Sequence, residues 1–225
     1  PLVIPEVNPE DISWNEGIIS NPNCSTIQSV VPLKPLHSNY HIKRIVFSTY
    51  QAVSGSGLGG LMDLEYGIKS FKPKKYPYPI AFNCLPHIDD FLDNGYTKEE
   101  MKMVEETKKI LHDDTIKITS TAVRVPVRYG HCVSANIEFE KPFQLKDIYD
   151  TLENAKGIVV LDDPKNTLYP MPIDAEGKDE VYVGRIRRDF SVENGINIWI
   201  VADNIRKGAA TNTVQIAELL LENFE

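Results

Sequence analysis

This sequence has few cysteines, a deficit of positive charge and no long apolar run. Three cysteines among 225 residues, Cys24, Cys84 and Cys132, are odd in number and match neither a disulfide framework nor a zinc pattern. His131 and Cys132 are adjacent at a strand start and point to opposite faces, so they make a poor ligand pair; no metal is expected. Lys and Arg total 24 against 32 Asp and Glu, a formal net charge of −8, which argues against nucleic-acid binding. The basic run Lys72, Lys74, Lys75 is interrupted by Pro73 and reads as a solvated loop. No stretch approaches the roughly 20 apolar residues that span a bilayer, and no signal-peptide pattern opens the chain. No membrane partner is therefore expected, and the expected compartment is the cytoplasm. The remaining composition, 42% hydrophobic and 25% charged, is that of a folded globular protein.

Residues 1–12 read as extended and proline-marked. Asn21, Pro22 and Asn23 lead into a helix from Cys24 toward Leu36, which Pro32 is expected to kink or end. Arg44 to Tyr50 is a β-branched and aromatic strand running into the glycine-rich stretch Ser54 to Gly60. The segment 71–80 is a Lys and Pro loop. Thr97 and Glu100 form a capping box that opens a helix from Lys98 to Leu111, with Met103, Val104, Ile110 and Leu111 at helical spacing and Glu99, Lys102, Glu106 and Lys109 opposite. Ile116 to Val127 and Val133 to Phe139 alternate and, joined by a turn containing Gly130, read as a hairpin. Further strands are expected at Ile158 to Leu161, Val181 to Arg187 and Ile196 to Ala202, with helices near Leu145 to Asn154 and Lys207 to Phe224. The order predicts an α+β fold: a mostly antiparallel mixed sheet with helices on one face.

Several residues are of types that carry chemistry. Cys24 opens a helix, where free N–H groups and the helix dipole favour a thiolate and lower the thiol pKa; the ordinary alternative is a small buried hydrophobe. His131, at the expected turn, can act as general acid or base; the ordinary alternative is a bystander. Arg124, on the same expected hairpin, can clamp a carboxylate with two parallel hydrogen bonds; the ordinary alternative is a surface or salt-bridged arginine. Glu99 and Lys102 are helical neighbours that form either an exposed ion pair or a joint reader of an amino group and an anion. Gly55, Gly57 and Gly60 satisfy GxGxxG, but no second parallel strand or acidic strand end follows at about 20 positions, as a dinucleotide turn requires. A loop whose backbone approaches a ligand closely is the better reading.

NPNCSTIQ (Asn21 to Gln28), STYQAVSGSG (Ser48 to Gly57), RVPV followed by GH (Arg124 to His131) and DNIRKGAATNTVQ (Asp203 to Gln215) together resemble the aspartate-semialdehyde dehydrogenases. N-acetyl-glutamyl-phosphate reductase shares the cysteine and histidine logic but usually lacks STIQ. The resemblance implies a fold like the glyceraldehyde-3-phosphate dehydrogenase C-terminal domain and the NADP-dependent reductive dephosphorylation of aspartyl phosphate through a Cys24 thioester. It implies further that Gln51 orients the substrate, His131 is general acid and base, and Arg124 holds the substrate carboxylate. Glu99 then meets the amino group, Lys102 the phosphate, and Ser54, Gly55, Ser56, Gly57, Leu58 and Asn204 contact the cofactor. The family assembles as a homodimer or homotetramer.

On this resemblance, residues 1–20 are expected to be a connector and remnant of a nucleotide-binding domain, 21–203 the catalytic and dimerisation domain, and 204–225 a helix that packs back on the nucleotide domain. The family's N-terminal nucleotide region is not in the sequence, so this chain alone is expected to bind NADPH poorly and turn over little, or to serve as a non-catalytic dimerisation module. The stretch Leu61 to Pro79 is shorter than usual, and Cys132 and Val133 stand where Ser-Glu is common. The last helix carries a wide apolar stripe, Ala210, Val214, Ala217, Leu221 and Phe224 with Ile216 and Leu220, part of which is expected to be exposed or covered by a neighbouring chain.

Overall fold

Asn23 starts the first helix. Its Oδ1 accepts from the backbone N–H groups of Ser25 (2.9 Å) and Thr26 (3.2 Å), satisfying donors that the first turn of a helix leaves free. The computed structural model describes residues 1–69 and 72–222. In it α1 spans Cys24–Tyr40 and carries both Pro32 and Pro35 inside. The expected stop at Pro32 therefore does not occur. Each proline costs roughly 3 kcal/mol in a helix interior. Val30, Val31, Leu33 and Leu36 are buried around them, and at about 1.5–3 kcal/mol per buried aliphatic side chain the packing outweighs the breakers.

Six strands form one mixed sheet: β1 (Ile42–Gln51), β2 (Lys117–Arg124), β3 (His131–Phe139), β4 (Ile158–Val160), β5 (Val181–Asp189) and β6 (Gly195–Ala202). Their order is β2-β1-β3-β6-β5-β4; the β1–β2 and β4–β5 pairs are parallel and the other three antiparallel. The expected hairpin of β2 with β3 is not formed, because β1 lies between them. Residues 125–130, with Pro126 among them, cross the end of β1 instead of turning tightly: Val125 N–H donates to Gln51 O (3.0 Å), and Val53 and Ser54 N–H donate to Val127 O (2.8 Å) and Arg128 O (3.1 Å). In this way both edges of β1 are hydrogen-bonded.

The strands bury one face. Ile45, Phe47, Val133, Ala135, Ile137, Ile196, Ile198 and Ile200 pack with Ile27, Val30 and Leu33 of α1, with Met103 and Ile110 of α3 (Lys98–Leu111) and with Ile148 and Leu152 of α4 (Leu145–Glu153). The capping box of α3 is present as expected. Glu100, its N3 member, also accepts from Ala122 N–H (3.0 Å) and so stitches the helix start to β2.

Helix α2 (Gly57–Gly67) follows the glycine-rich stretch, and its Asp63 organises the Lys and Pro loop by accepting from the N–H groups of Lys74 (2.8 Å), Lys75 (2.7 Å) and Tyr76 (2.9 Å). Burial alone would raise the Asp63 carboxyl pKa, but these donors bring it below the ordinary value. The chain start is not an extended tail: Asn8 Oδ1 accepts from Ile4 N–H (2.9 Å), a 3₁₀ turn covers Pro9–Trp14, and Ile4 and Val7 join the main core. Of the last apolar stripe, Ile216 of α5 (Thr211–Glu222) packs on Val3 and Ile12, while Val214 and Leu221 are 57% and 69% exposed. The expected partial exposure is present; Phe224 lies outside the described residues. No helix among the described residues is long and apolar enough to cross a membrane.

Replacing Thr97 with Ala removes the side-chain half of the capping box and should lower stability by about 1 kcal/mol. Urea denaturation measures this, and a transition free energy equal to the parent's would contradict the role given to the cap.

Candidate active site

A cavity of about 450 Å³ opens where α1, the end of β1, the start of α3 and the Lys and Pro loop meet, and Cys24, Gln51, Gly55, Ser56, Glu99, Lys102 and Arg124 lie on its wall. The strand pairing brings them together. Gln51 and Arg124 are register partners on the parallel pair β1–β2, and Tyr50 pairs with Cys132, next to His131. The meeting of Arg124 and His131 is thus real, although it is made around β1 and not across a hairpin.

Asn23 and Glu99 tie the floor. The Asn23 side-chain amide donates to Glu99 Oε1 (2.9 Å), and Gln51 Nε2 donates to the same oxygen (3.1 Å). Glu99 is buried, not on an exposed polar face. Lys102 lies 3.7 Å from Glu99 Oε2 and 3.0 Å from Asp89 Oδ2. Asp89 was not singled out from the sequence, because it stands in a loop with no periodicity to mark it. Asp89 is held below the ordinary carboxyl range, first by the Lys102 hydrogen bond.

Cys24 is partly exposed at the first position of α1. The expected lowering of its pKa is not found. Burial, then the Glu99 carboxylate, push the thiol up to about 12, against the opposing pull of Arg124 and the Ser25 N–H. A helix N-terminus offers the thiolate partial positive charge, but here desolvation and a nearby carboxylate outweigh it. The resting side chain is a thiol.

Arg124 is buried, donates from Nη1 to Ala52 O (2.7 Å), and has an Nε without a partner. Among the described residues it makes no ion pair. Burial lowers its pKa. A buried cation without a paired carboxylate is costly, and an anion in the cavity would lower that cost.

His131 opens β3 and is fully buried behind this wall. Its Nδ1 accepts from Ala52 N–H (3.0 Å), its carbonyl accepts from Gln28 Nε2 (3.1 Å), and its Nε2 is buried without a partner. Burial, then Arg124, hold its pKa well below the ordinary value. Gly55 stands between this ring and the cavity. A Cβ there would lie 3.0 Å from Arg124 Nη1 and 3.1 Å from His131 Nε2, so only glycine leaves both groups uncovered.

The residues expected at a cofactor divide into two sets. Gly57 and Leu58 are exposed, Ser56 is half-buried on the cavity wall, and Gly55 is exposed. Ser54 and Asn204 are buried: Asn204 Nδ2 donates to Ser54 Oγ (3.0 Å), and its Oδ1 accepts from Gly130 N–H (2.9 Å). The Asn204 amide therefore fastens the glycine loop to the residue preceding His131. A π-turn over Arg206–Ala210 backs Cys24, and a Cβ on Gly208 would stand 3.1 Å from Cys24 Cβ. Sequence reading missed Lys207, whose buried ammonium donates to Glu6 Oε2 (2.6 Å), Asn212 Oδ1 (3.1 Å) and Gln215 Oε1 (2.7 Å) and anchors that turn. Two groups of candidate metal ligands, His37, His41 and Asp113, and Glu10, Asp11 and His112, lie away from the cavity wall.

The family profile described as "Semialdehyde dehydrogenase, dimerisation domain" matches residues 33–207, which places the fold in the semialdehyde dehydrogenase class. The aspartate-semialdehyde dehydrogenase of Aquifex aeolicus is 56% identical over 231 residues, covering 99% of this chain and 68% of that protein. The Bacillus subtilis enzyme of the same name is 48% identical, covering 98% of the chain and 68% of that protein. A crystal structure of aspartate semialdehyde dehydrogenase II from Vibrio cholerae, complexed with ASA, superposes with a TM-score of 0.96 at 49% identity, covering 100% of this chain and 69% of that one. The Candida albicans enzyme with NADP gives a TM-score of 0.74 at 28% identity, over 98% of this chain and 66% of that one. The chain belongs to the aspartate-semialdehyde dehydrogenase family, a family of oxidoreductases.

With the cavity empty, a neutral alkylating reagent such as iodoacetamide should modify exposed Cys84 before Cys24 at neutral pH. Because the Cys24 thiol lies near 12, its alkylation rate should climb about tenfold per pH unit well into the alkaline range. Peptide mass mapping against pH checks this; a rate that levels off near neutrality would contradict it.

Proposed function

We propose that this chain carries the site for NADP-dependent reductive dephosphorylation of L-aspartyl-4-phosphate to L-aspartate-4-semialdehyde through a thioester on Cys24. The observation that carries the reading is the buried Arg124 guanidinium, without an acid partner and with an unbonded Nε, on the wall of the cavity that holds Cys24. A planar fork in that condition suits the α-carboxylate of a small substrate. Glu99 meets the substrate's free ammonium, and this favours an aspartyl compound over an N-acetylated one, which has no such charge. Lys102 meets the phosphate by exchanging its Asp89 partner for it, and Gln51 orients the acyl group.

The Cys24 sulfur attacks the acyl carbon, phosphate leaves, and a thioester remains; its reduction releases the semialdehyde and frees the sulfur. His131 serves the acyl oxygen. NADPH, when bound, supplies the hydride. The exposed backbone of Gly55, Gly57 and Leu58, with Ser56 beside it, fits the approach of one end of that cofactor, and Ser54 and Asn204 hold the loop in place. The described residues form no strand–helix–strand dinucleotide unit, so the rest of the cofactor needs other protein.

Residues 21–203 would then be the catalytic and dimerisation domain, with 204–225 turned toward a nucleotide domain. A homodimer or homotetramer would form through the uncovered sheet face, where the Tyr50 and Trp199 rings meet tilted at 5.4 Å. The setting would be the cytoplasm, and the product a precursor of lysine, methionine, threonine and isoleucine.

Acyl transfer needs no cofactor and tests the reading on this chain. Incubation with L-aspartyl-4-phosphate should release one equivalent of phosphate and leave one aspartyl group on Cys24 by intact mass. Cys24→Ser should abolish both. Arg124→Lys should raise the substrate concentration needed by about tenfold or more, the loss of roughly 1.5–3 kcal/mol from a charged hydrogen bond. Acylation elsewhere, or none in the parent chain, would refute the proposal.

A further inference from the structure

We propose that His41, Asp113 and Glu140 form a site for one divalent metal ion of the zinc class, apart from the cavity that holds Cys24, with His37 orienting Asp113 from behind. The site stands or falls independently of the reaction given above.

Three element ends meet here. His37 lies in the last turn of α1 and His41 caps that helix; Asp113 stands just past α3, and Glu140 follows β3 directly. The backbone sets the spacing: His41 N–H donates to His37 O (2.9 Å), and Glu140 N–H donates to His41 O (2.8 Å). Asp113 Oδ1 accepts from the N–H and the hydroxyl of Thr115 at 2.8 and 2.6 Å, which leaves Oδ2 toward the two histidines. The members lie far apart in sequence, so the expectation of no metal, drawn from the cysteines and His131, does not reach them.

The gaps between these groups suit an ion. His41 Nε2 lies 3.9 Å from Asp113 Oδ2 and 3.9 Å from Glu140 Oε2, beyond hydrogen-bond range in both directions. Asp113 Oδ2 is buried without a hydrogen-bond partner, which costs free energy until something positive meets it. Zinc binds imidazole nitrogen and carboxylate oxygen at about 2.0–2.2 Å, which sets tetrahedral ligands about 3.4 Å apart, so a closure of roughly half an ångström around His41 suffices. The His41 and Glu140 side chains, 45% and 57% exposed, have room to move that far and leave an entry path. An imidazole with two carboxylates suits zinc and its late first-row neighbours better than calcium or magnesium, which favour all-oxygen shells. The second group, Glu10, Asp11 and His112, has no such gap: His112 Nε2 is 3.0 Å from Asp11 Oδ1, and Asn8 Nδ2 donates to Asp11 Oδ2 (2.7 Å).

The backbone of His41 points the same way. Its φ is +57°, a left-handed conformation that favours glycine, so the chain carries strain at the one position that supplies the imidazole. Stacking on the His37 ring, at 4.9 Å and 26°, holds that imidazole in place. His37 is not itself a ligand. Its Nδ1 accepts from Ile42 N–H (3.1 Å), so the neutral ring carries its proton on Nε2, which faces Asp113 Oδ2 at 3.7 Å. A donor behind a ligating carboxylate orients it. Burial, then His41, hold the His37 pKa below the ordinary value, which keeps the ring neutral. Burial alone would raise the Asp113 carboxyl pKa, but Thr115 and then the histidines bring it below the ordinary value, so the ligand is charged. Lys34 is the opposing cation beside His37, and the two carboxylates outnumber it.

The test titrates the metal-free chain with zinc chloride, following binding by calorimetry and Tm by thermal melting. One equivalent should bind, and zinc at about a hundred times its Kd should raise Tm by roughly 5–10 °C. His41→Gly removes a ligand and suits the backbone at that position, so the metal-free variant should melt at or near the parent's Tm and lose the zinc shift. Glu140→Gln, a change at an exposed side chain, should weaken binding about tenfold or more, since even the loss of an outer-shell partner costs that much. Cobalt(II) in place of zinc should report nitrogen and oxygen ligands, with no thiolate charge-transfer band. No bound equivalent, a full zinc shift in His41→Gly, undiminished affinity in Glu140→Gln, or a thiolate band from cysteine ligation would each overturn the proposal.

Discussion

The amide of Asn23 is bonded at both ends, and the site depends on it. Its oxygen holds the first turn of α1 and so fixes where Cys24 stands; its nitrogen holds Glu99, the carboxylate that Gln51 also grips. One short side chain thereby sets the helix that Cys24 opens, the start of α3 and the end of β1 in a common frame. Asn204 does a similar service on the far wall, joining the Ser54 loop to Gly130. Neither residue needs to touch a substrate to matter, since a misplacement of about 1 Å can cost a hundredfold in rate.

Much of the fold was legible because local chemistry and periodicity agreed. The Thr97–Glu100 box, the β-branched and aromatic run of β1 and the alternation in β2 and β3 each specify an element without help from distant chain. Strand pairing was not legible in the same way. Alternation says which face of β2 is buried but not which neighbour it meets, and the parallel partner of β2 is β1, whose register partners lie 73 residues earlier (Arg44 with Lys117). Pro32 does not end the helix for a related reason: its penalty is local, while the burial that offsets it comes from the whole core.

The site residues were readable by type and the electrostatics were not. Cysteine, arginine, histidine and the Glu–Lys pair were found from motif and spacing, and Cys24, Gln51, Arg124, Glu99 and Lys102 share one cavity wall. The state of the thiol depends on desolvation and on a carboxylate from another helix, which no spacing in the chain records. The same holds for Lys207, whose three acceptors come from the first turn of the chain and the last helix.

The place of β1 between β2 and β3 has a consequence for how the chain acquires reactivity. No hairpin can bring Gln51, Arg124 and His131 together; the central strand must receive one neighbour in parallel and the other in the opposite sense, after long intervening segments have found their own places. Such non-local closure is slow and comes at the expense of chain entropy. The wall that gathers Cys24, Gln51 and Arg124 is therefore complete only once strands far apart in the chain have closed on β1.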